Sequence, residues 1–268
     1  MPKLFRYIIL FGGPLFVGAI NLGHPIVSSG GVYQTVSPYV TWWLILHVLN
    51  LVGFALAGLA AYLILREERG LAATISRIAL AVFIPLYLGF DALIGLGTGT
   101  LVQYASQLPP DQLPEAKLAI EALWTSSLGS ILATIGSSAW GISMFATAIA
   151  LTERSRRPVV IVLSVLAFGL VGWGVATASS GTVLWWLAVA VAGLAVFSVA
   201  RPRVPAALFV LAGILFGTTH VVPFGPLGML CFAGGVLWLE LVERKTQRPA
   251  AQQEVRQAEV VEPTLKKG

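Results

Sequence analysis

Residues 41 to 65 run for 25 positions without a formal charge. At about 1.5 Å per residue such a helix is long enough to cross a bilayer core of roughly 30 Å. The stretch nevertheless contains His47 and Asn50, three residues apart on one helix face. It therefore reads as a membrane span with a polar face turned toward a protein neighbour or a cavity rather than toward lipid.

The rest of the chain follows the same pattern. Of the 268 residues, 57% are hydrophobic and only 11% charged, with a mean hydropathy of +0.84. Soluble domains carry about 25% charged residues, so a soluble fold is excluded. The net charge of +5 does not indicate nucleic acid, because the basic residues sit between apolar runs, where they set topology. The single cysteine, Cys231, lies inside an apolar run and has no intrachain partner for a disulfide. It reads as a packed thiol.

The expected fold is an all-α polytopic membrane protein of about eight transmembrane helices. The first runs from Tyr7 to Leu22 and the second is the opening stretch; a signal peptide is the alternative for the first, although no A-x-A-like cleavage site follows it. A third runs from about Leu71 to Val102 with Pro85 inside it and glycines near its far end, so tilt or a break is expected. Residues 103 to 120 read as an external loop with one short surface helix, followed by a fourth span at about 121 to 151. That span is dense in Ser, Gly, Ala and Thr, which let backbones approach closely in lipid. Spans five and six fall before Ala178 and at 183 to 200, and the last two cover roughly Pro205 to Thr219 and Leu227 to Val242. Residues 1 to 244 form the membrane domain and 245 to 268 a polar, disordered cytoplasmic tail.

Of the 17 Lys and Arg residues, all but Lys117 fall on one side of this arrangement. By the positive-inside rule both termini are cytoplasmic, in the cell membrane. Trp42, Trp43, Trp124, Trp185 and Trp186 open helices at the opposite face, as an interfacial aromatic belt does. Ser-Ser-Gly and Trp-Trp-Leu at 28 to 30 and 42 to 44 recur at 179 to 181 and 185 to 187, which allows a 4+4 parallel repeat or coincidence.

Asp91 is the only acidic residue deep in a span, and Tyr87 precedes it by one turn. An intramembrane carboxylate is costly enough to be a functional candidate, the alternative being a hydrogen-bonded helix fastener. The chain has three histidines, His24, His47 and His220, all expected in the outer half. Counting residues along straight helices puts His24 and His220 at the lip, His47 about 9 Å below and Asp91 about 17 Å down. That descending line, with Asn50 and Tyr87, predicts a small prokaryotic transporter or proton-linked permease. Three histidines and a carboxylate also suit a metal ion, which makes a membrane-embedded metal enzyme the alternative. Against it stand the unequal depths and the lack of any H-x-x-x-H or H-E-x-x-H spacing. Haem through two imidazoles is a weaker variant, since no C-x-x-C-H occurs. A third reading is a scaffold subunit. Expected partners are the lipid bilayer and a second membrane protein or another copy of the chain, not nucleic acid.

Overall fold

A computed structural model describes residues 2–27, 30–151 and 203–241. The described residues are helical, with no strand among them. Spans five and six, the second half of the suggested repeat, Trp185, Trp186 and the C-terminal tail lie outside the described residues. Among those described, five helices are long and apolar enough to cross a membrane.

Helix α1 covers Lys3–Asn21, with a π-helical turn at Ile8–Gly12. Short turns at Val32–Val36 and Ser37–Tyr39 lead into α2, Val40–Ile64. Helix α3, Leu71–Ala105, is continuous despite Pro85. Its irregularity is a π-helical segment at Asp91–Leu96, where the widened turn re-aims the side chains on either side of it. The surface helix is present as α4, Leu113–Trp124. The fourth span, α5, starts at Ser127 rather than near 121, because Ser126 caps it by accepting a hydrogen bond from the Gly129 amide. Helix α6, Arg203–Thr218, is too short to count among the five long helices, and α7 covers Phe224–Leu241.

Helix α5 packs along α3 on one side and α6 on the other, while α1 lies along α2. Lipid offers no hydrophobic drive between helices, so close packing and a few hydrogen bonds hold them. Gly136 of α5 sits on the backbone of Tyr87, where an added Cβ would lie 3.2 Å from the Tyr87 nitrogen. The small residues of α5 thus serve close helix contact. At another level of the same interface, Ser76 shares hydroxyl contacts with Ser143 and Thr147 at 2.9 and 3.0 Å. Arg77 donates to the carbonyls of Leu65 and Glu68 in the turn that follows α2.

The main apolar core joins α1, α2, α3, α5, α6 and α7 around Phe54, Phe83, Trp140, Phe216 and Phe232. A second, smaller cluster caps the bundle at one end, formed by Val32, Val36, Trp43, Val102, Ala105 and Ile120. Glu121 accepts from the Val32 amide at 2.9 Å and ties this cap together. Trp43 belongs to it and is fully buried, packing near Trp124 at 6.2 Å between ring centroids. Trp43 is therefore no belt residue, in contrast to the expectation. Trp42 is 38% exposed and donates to the Gly23 carbonyl.

Asn50 pairs with Asn21 of α1 through both amides, at 2.7 and 3.3 Å. The Asn21 amide also donates to the Val17 carbonyl. Replacing Asn50 with Ala leaves the Asn21 carbonyl oxygen buried without a donor. The expected cost is about 1–2 kcal/mol, read as reduced resistance to unfolding in mixed micelles.

Candidate metal centre

The three histidines meet just beneath the cap. His24 arrives from the segment after α1, His47 from the second turn of α2, and His220 from the turn between α6 and α7. The imidazole centroids of His24 lie 5.3 Å from His47 and 5.2 Å from His220. One ring nitrogen of each lies within 4.8 Å of the others. All three side chains are buried.

The hydrogen bonds decide which nitrogens face inward. His24 Nδ1 bonds the Pro25 carbonyl oxygen at 2.8 Å, and His47 Nδ1 bonds the Trp43 carbonyl oxygen at 2.8 Å. A carbonyl only accepts, so both rings carry their proton on Nδ1 and present a bare Nε2. His220 Nδ1 lies 3.0 Å from the Tyr87 hydroxyl. The His220 tautomer protonated on Nδ1 donates to that hydroxyl and leaves its own Nε2 bare. The Nε2 atoms of His24 and His220 have no hydrogen-bond partner among the described residues. His24 and His220 stand in connecting segments, and burial lowers the pKa of both. A backbone bond partly offsets this at His24, whereas the neighbouring His24 and His47 charges deepen it at His220. Neutral imidazoles are the form that binds metal.

Asp91 completes the cluster from the first residue of the π-helical segment. Its Oδ1 lies 3.9 Å from His47 Nε2. The side chain is 1% exposed, and neither oxygen has a hydrogen-bond donor among the described residues.

The same π segment makes room for His47. An added Cβ on Gly95 would fall 1.8 Å from His47 Cδ2, so only glycine fits there. The Gly95 carbonyl accepts from the Trp43 indole at 2.7 Å. Trp43 thus fixes His47 twice, through its carbonyl and through a ring 4.5 Å away. Gly225 does similar work for the third ligand, since a Cβ there would meet the His220 carbonyl oxygen at 1.8 Å.

The expected gradient of depths does not hold, because His47 and Asp91 are neighbours and the two lip histidines reach the same point. Counting along straight spans assumed that α3 ends at the membrane surface. Its last turns, Gly97–Ala105, instead pack against α4 and the Val32–Val36 turn as part of the cap. Asp91 therefore lies level with His47. Of the residues singled out from the sequence, His24, His47, His220, Asp91 and Tyr87 come together, whereas Asn50 belongs to the Asn21 pair. Trp43 and Gly95 are essential to the geometry and carry no sequence signal beyond being a buried-side aromatic and one glycine of several.

The fold and the cluster define an all-helical protein with membrane-length apolar helices and a buried three-imidazole centre. Comparison with known protein families, with curated proteins and with solved structures gives no match. The chemistry of the centre therefore carries the functional reading.

Proposed function

We propose that the chain is a membrane-embedded metalloprotein of the enzymatic type, holding one divalent transition-metal ion on His24, His47 and His220. One observation carries this reading: three imidazoles fixed by oxygens at Nδ1 turn three Nε2 atoms toward a common point. Metal-ligating histidines are oriented in this way by an acceptor on the other ring nitrogen. Left without a metal, buried bare nitrogens and a buried carboxylate are an uncompensated cost. A set of imidazoles with a nearby carboxylate and no thiolate suits zinc, iron, nickel or copper(II) rather than copper(I). Three protein ligands among the described residues, rather than four, match the pattern of catalytic zinc sites.

The topology in this reading has eight spans with both termini in the cytoplasm of a cell membrane, supported by the one-sided distribution of Lys and Arg. The metal centre then lies toward the external face. A proton or solute path through Asp91, His47 and Asn50 has less support, because Asn50 is closed off by Asn21 and the histidines gather in one place.

Elemental analysis of the full chain purified in mild detergent without chelator tests the proposal. The expected result is about one metal ion per chain, lost in His47→Ala and in His220→Ala while helicity is retained. Protein that is metal-free and takes up no zinc, cobalt, nickel, iron or copper at micromolar concentration would overturn it.

A further inference from the structure

The role of Asp91 goes a step further and rests on the metal reading above. The carboxylate is buried beside His47, yet it differs from the three histidines in its support. Each histidine has one nitrogen anchored by a protein oxygen, and neither oxygen of Asp91 is anchored by anything among the described residues. Carboxylates that ligate metals are themselves held by hydrogen bonds, because an unheld ligand does not impose geometry. Among the described residues Asp91 lacks that support and keeps its accepting capacity.

We infer that the metal's fourth position takes a neutral oxygen donor that carries a proton, with Asp91 as its hydrogen-bond acceptor. Water is that donor at rest, and a hydroxyl-bearing small molecule is the class that competes with it. The placement fits the lengths involved. A metal-bound oxygen sits about 2.0–2.2 Å from the ion, and a charge-assisted hydrogen bond adds about 2.5–2.7 Å. A carboxylate 3.9 Å from one ligating nitrogen stands at the right remove to receive such a bond. Its charge also acts on what else enters. Like charges side by side in a buried site repel, so Asp91 disfavours anions at the same position. A neutral donor with a proton is the ligand that gains from both the ion and the carboxylate.

Azide is a suitable probe because it binds metals, is anionic and has no proton to donate. The full chain loaded with cobalt(II) in detergent is titrated with azide and followed by its visible d–d bands. In Asp91→Asn azide is expected to bind at least about ten-fold more tightly than in the unaltered protein, and Asp91→Glu is expected to restore the weaker binding. Should neither variant fold, the unaltered protein loaded with copper(II) decides the matter. Electron–nuclear double resonance should then show strongly coupled protons that vanish in deuterium oxide. Equal azide affinity in the unaltered protein and Asp91→Asn overturns the inference, as does the lack of exchangeable coupled protons. Loss of cobalt from Asp91→Asn as complete as from His47→Ala also overturns it, by making Asp91 a direct ligand. All three results leave the three-histidine metal reading standing. Failure of the unaltered protein to take up cobalt or copper at all overturns both.

Discussion

Gly95→Ala is expected to abolish metal binding without removing a ligand. The new Cβ would sit 1.8 Å from His47 Cδ2 and 2.6 Å from both Cγ and Nε2 of the same ring. Ordinary carbon contacts begin near 3.5 Å, so the ring or the helix must move by more than 1 Å, roughly. The ring cannot rotate away freely, because Nδ1 is held by the Trp43 carbonyl and its face lies on the Trp43 indole. Separating α2 from α3 would instead break the Trp43 to Gly95 hydrogen bond and loosen the cap. Loss of a single orienting partner costs a metal site about 10–100-fold in affinity, and displacing a ligand outright should exceed that range. Isothermal titration with zinc is the measurement, with Gly89→Ala on the same helix as the control. A Cβ at Gly89 meets only Leu132 at 3.9 Å, an ordinary contact, and its zinc affinity should match that of the unaltered protein. Equal affinity in Gly95→Ala would show that His47 is not held where the three rings meet.

The membrane class, the surface helix and the importance of the buried polar residues were legible because each rests on local arithmetic. Length against bilayer thickness finds α2, the density of prolines and charges finds the loop around α4, and the cost of an intramembrane carboxylate picks out Asp91. Convergence was not legible. His24 and His220 are separated by 196 residues and reach the centre through irregular segments, so no spacing rule links them. The depth of Asp91 is not legible, because a hydrophobic run does not reveal how much of it lies in lipid and how much under a protein cap. The Gly97–Ala105 turns continue α3 without a formal charge, yet they pack on α4. Asn50 was grouped with His47 by helix spacing alone, which reports the shared face but not the neighbour. The neighbour is α1, with Asn21 at the height of Asn50, and only the packing of α1 on α2 reveals the pair.

Asp91→Asn should raise stability without metal and weaken the stabilisation that metal adds. In metal-free protein the carboxylate is buried beside the uncharged His47 ring, with no hydrogen-bond donor among the described residues. Burying a carboxyl group there costs stability whether it stays ionised or takes up a proton that the unfolded chain would release, so an amide of nearly the same shape is expected to raise the unfolding midpoint of the metal-free form. With metal bound the gain shrinks, because the ion is the charge that compensates Asp91. A metal present at 100 times its Kd stabilises the folded chain by about 2.7 kcal/mol. If the variant binds 10–100-fold more weakly, as expected for a group just outside the ligand set, that stabilisation falls to about 0.4–1.4 kcal/mol at the same free metal. Thermal unfolding in detergent, with and without a fixed free zinc concentration, reads both effects in one experiment. A merely structural aspartate fastening two helices would show the opposite pattern, with the variant less stable in chelator and its zinc response unchanged. A gain in chelator combined with a smaller zinc response is therefore specific to a carboxylate whose cost is met by the metal that its neighbouring histidines hold.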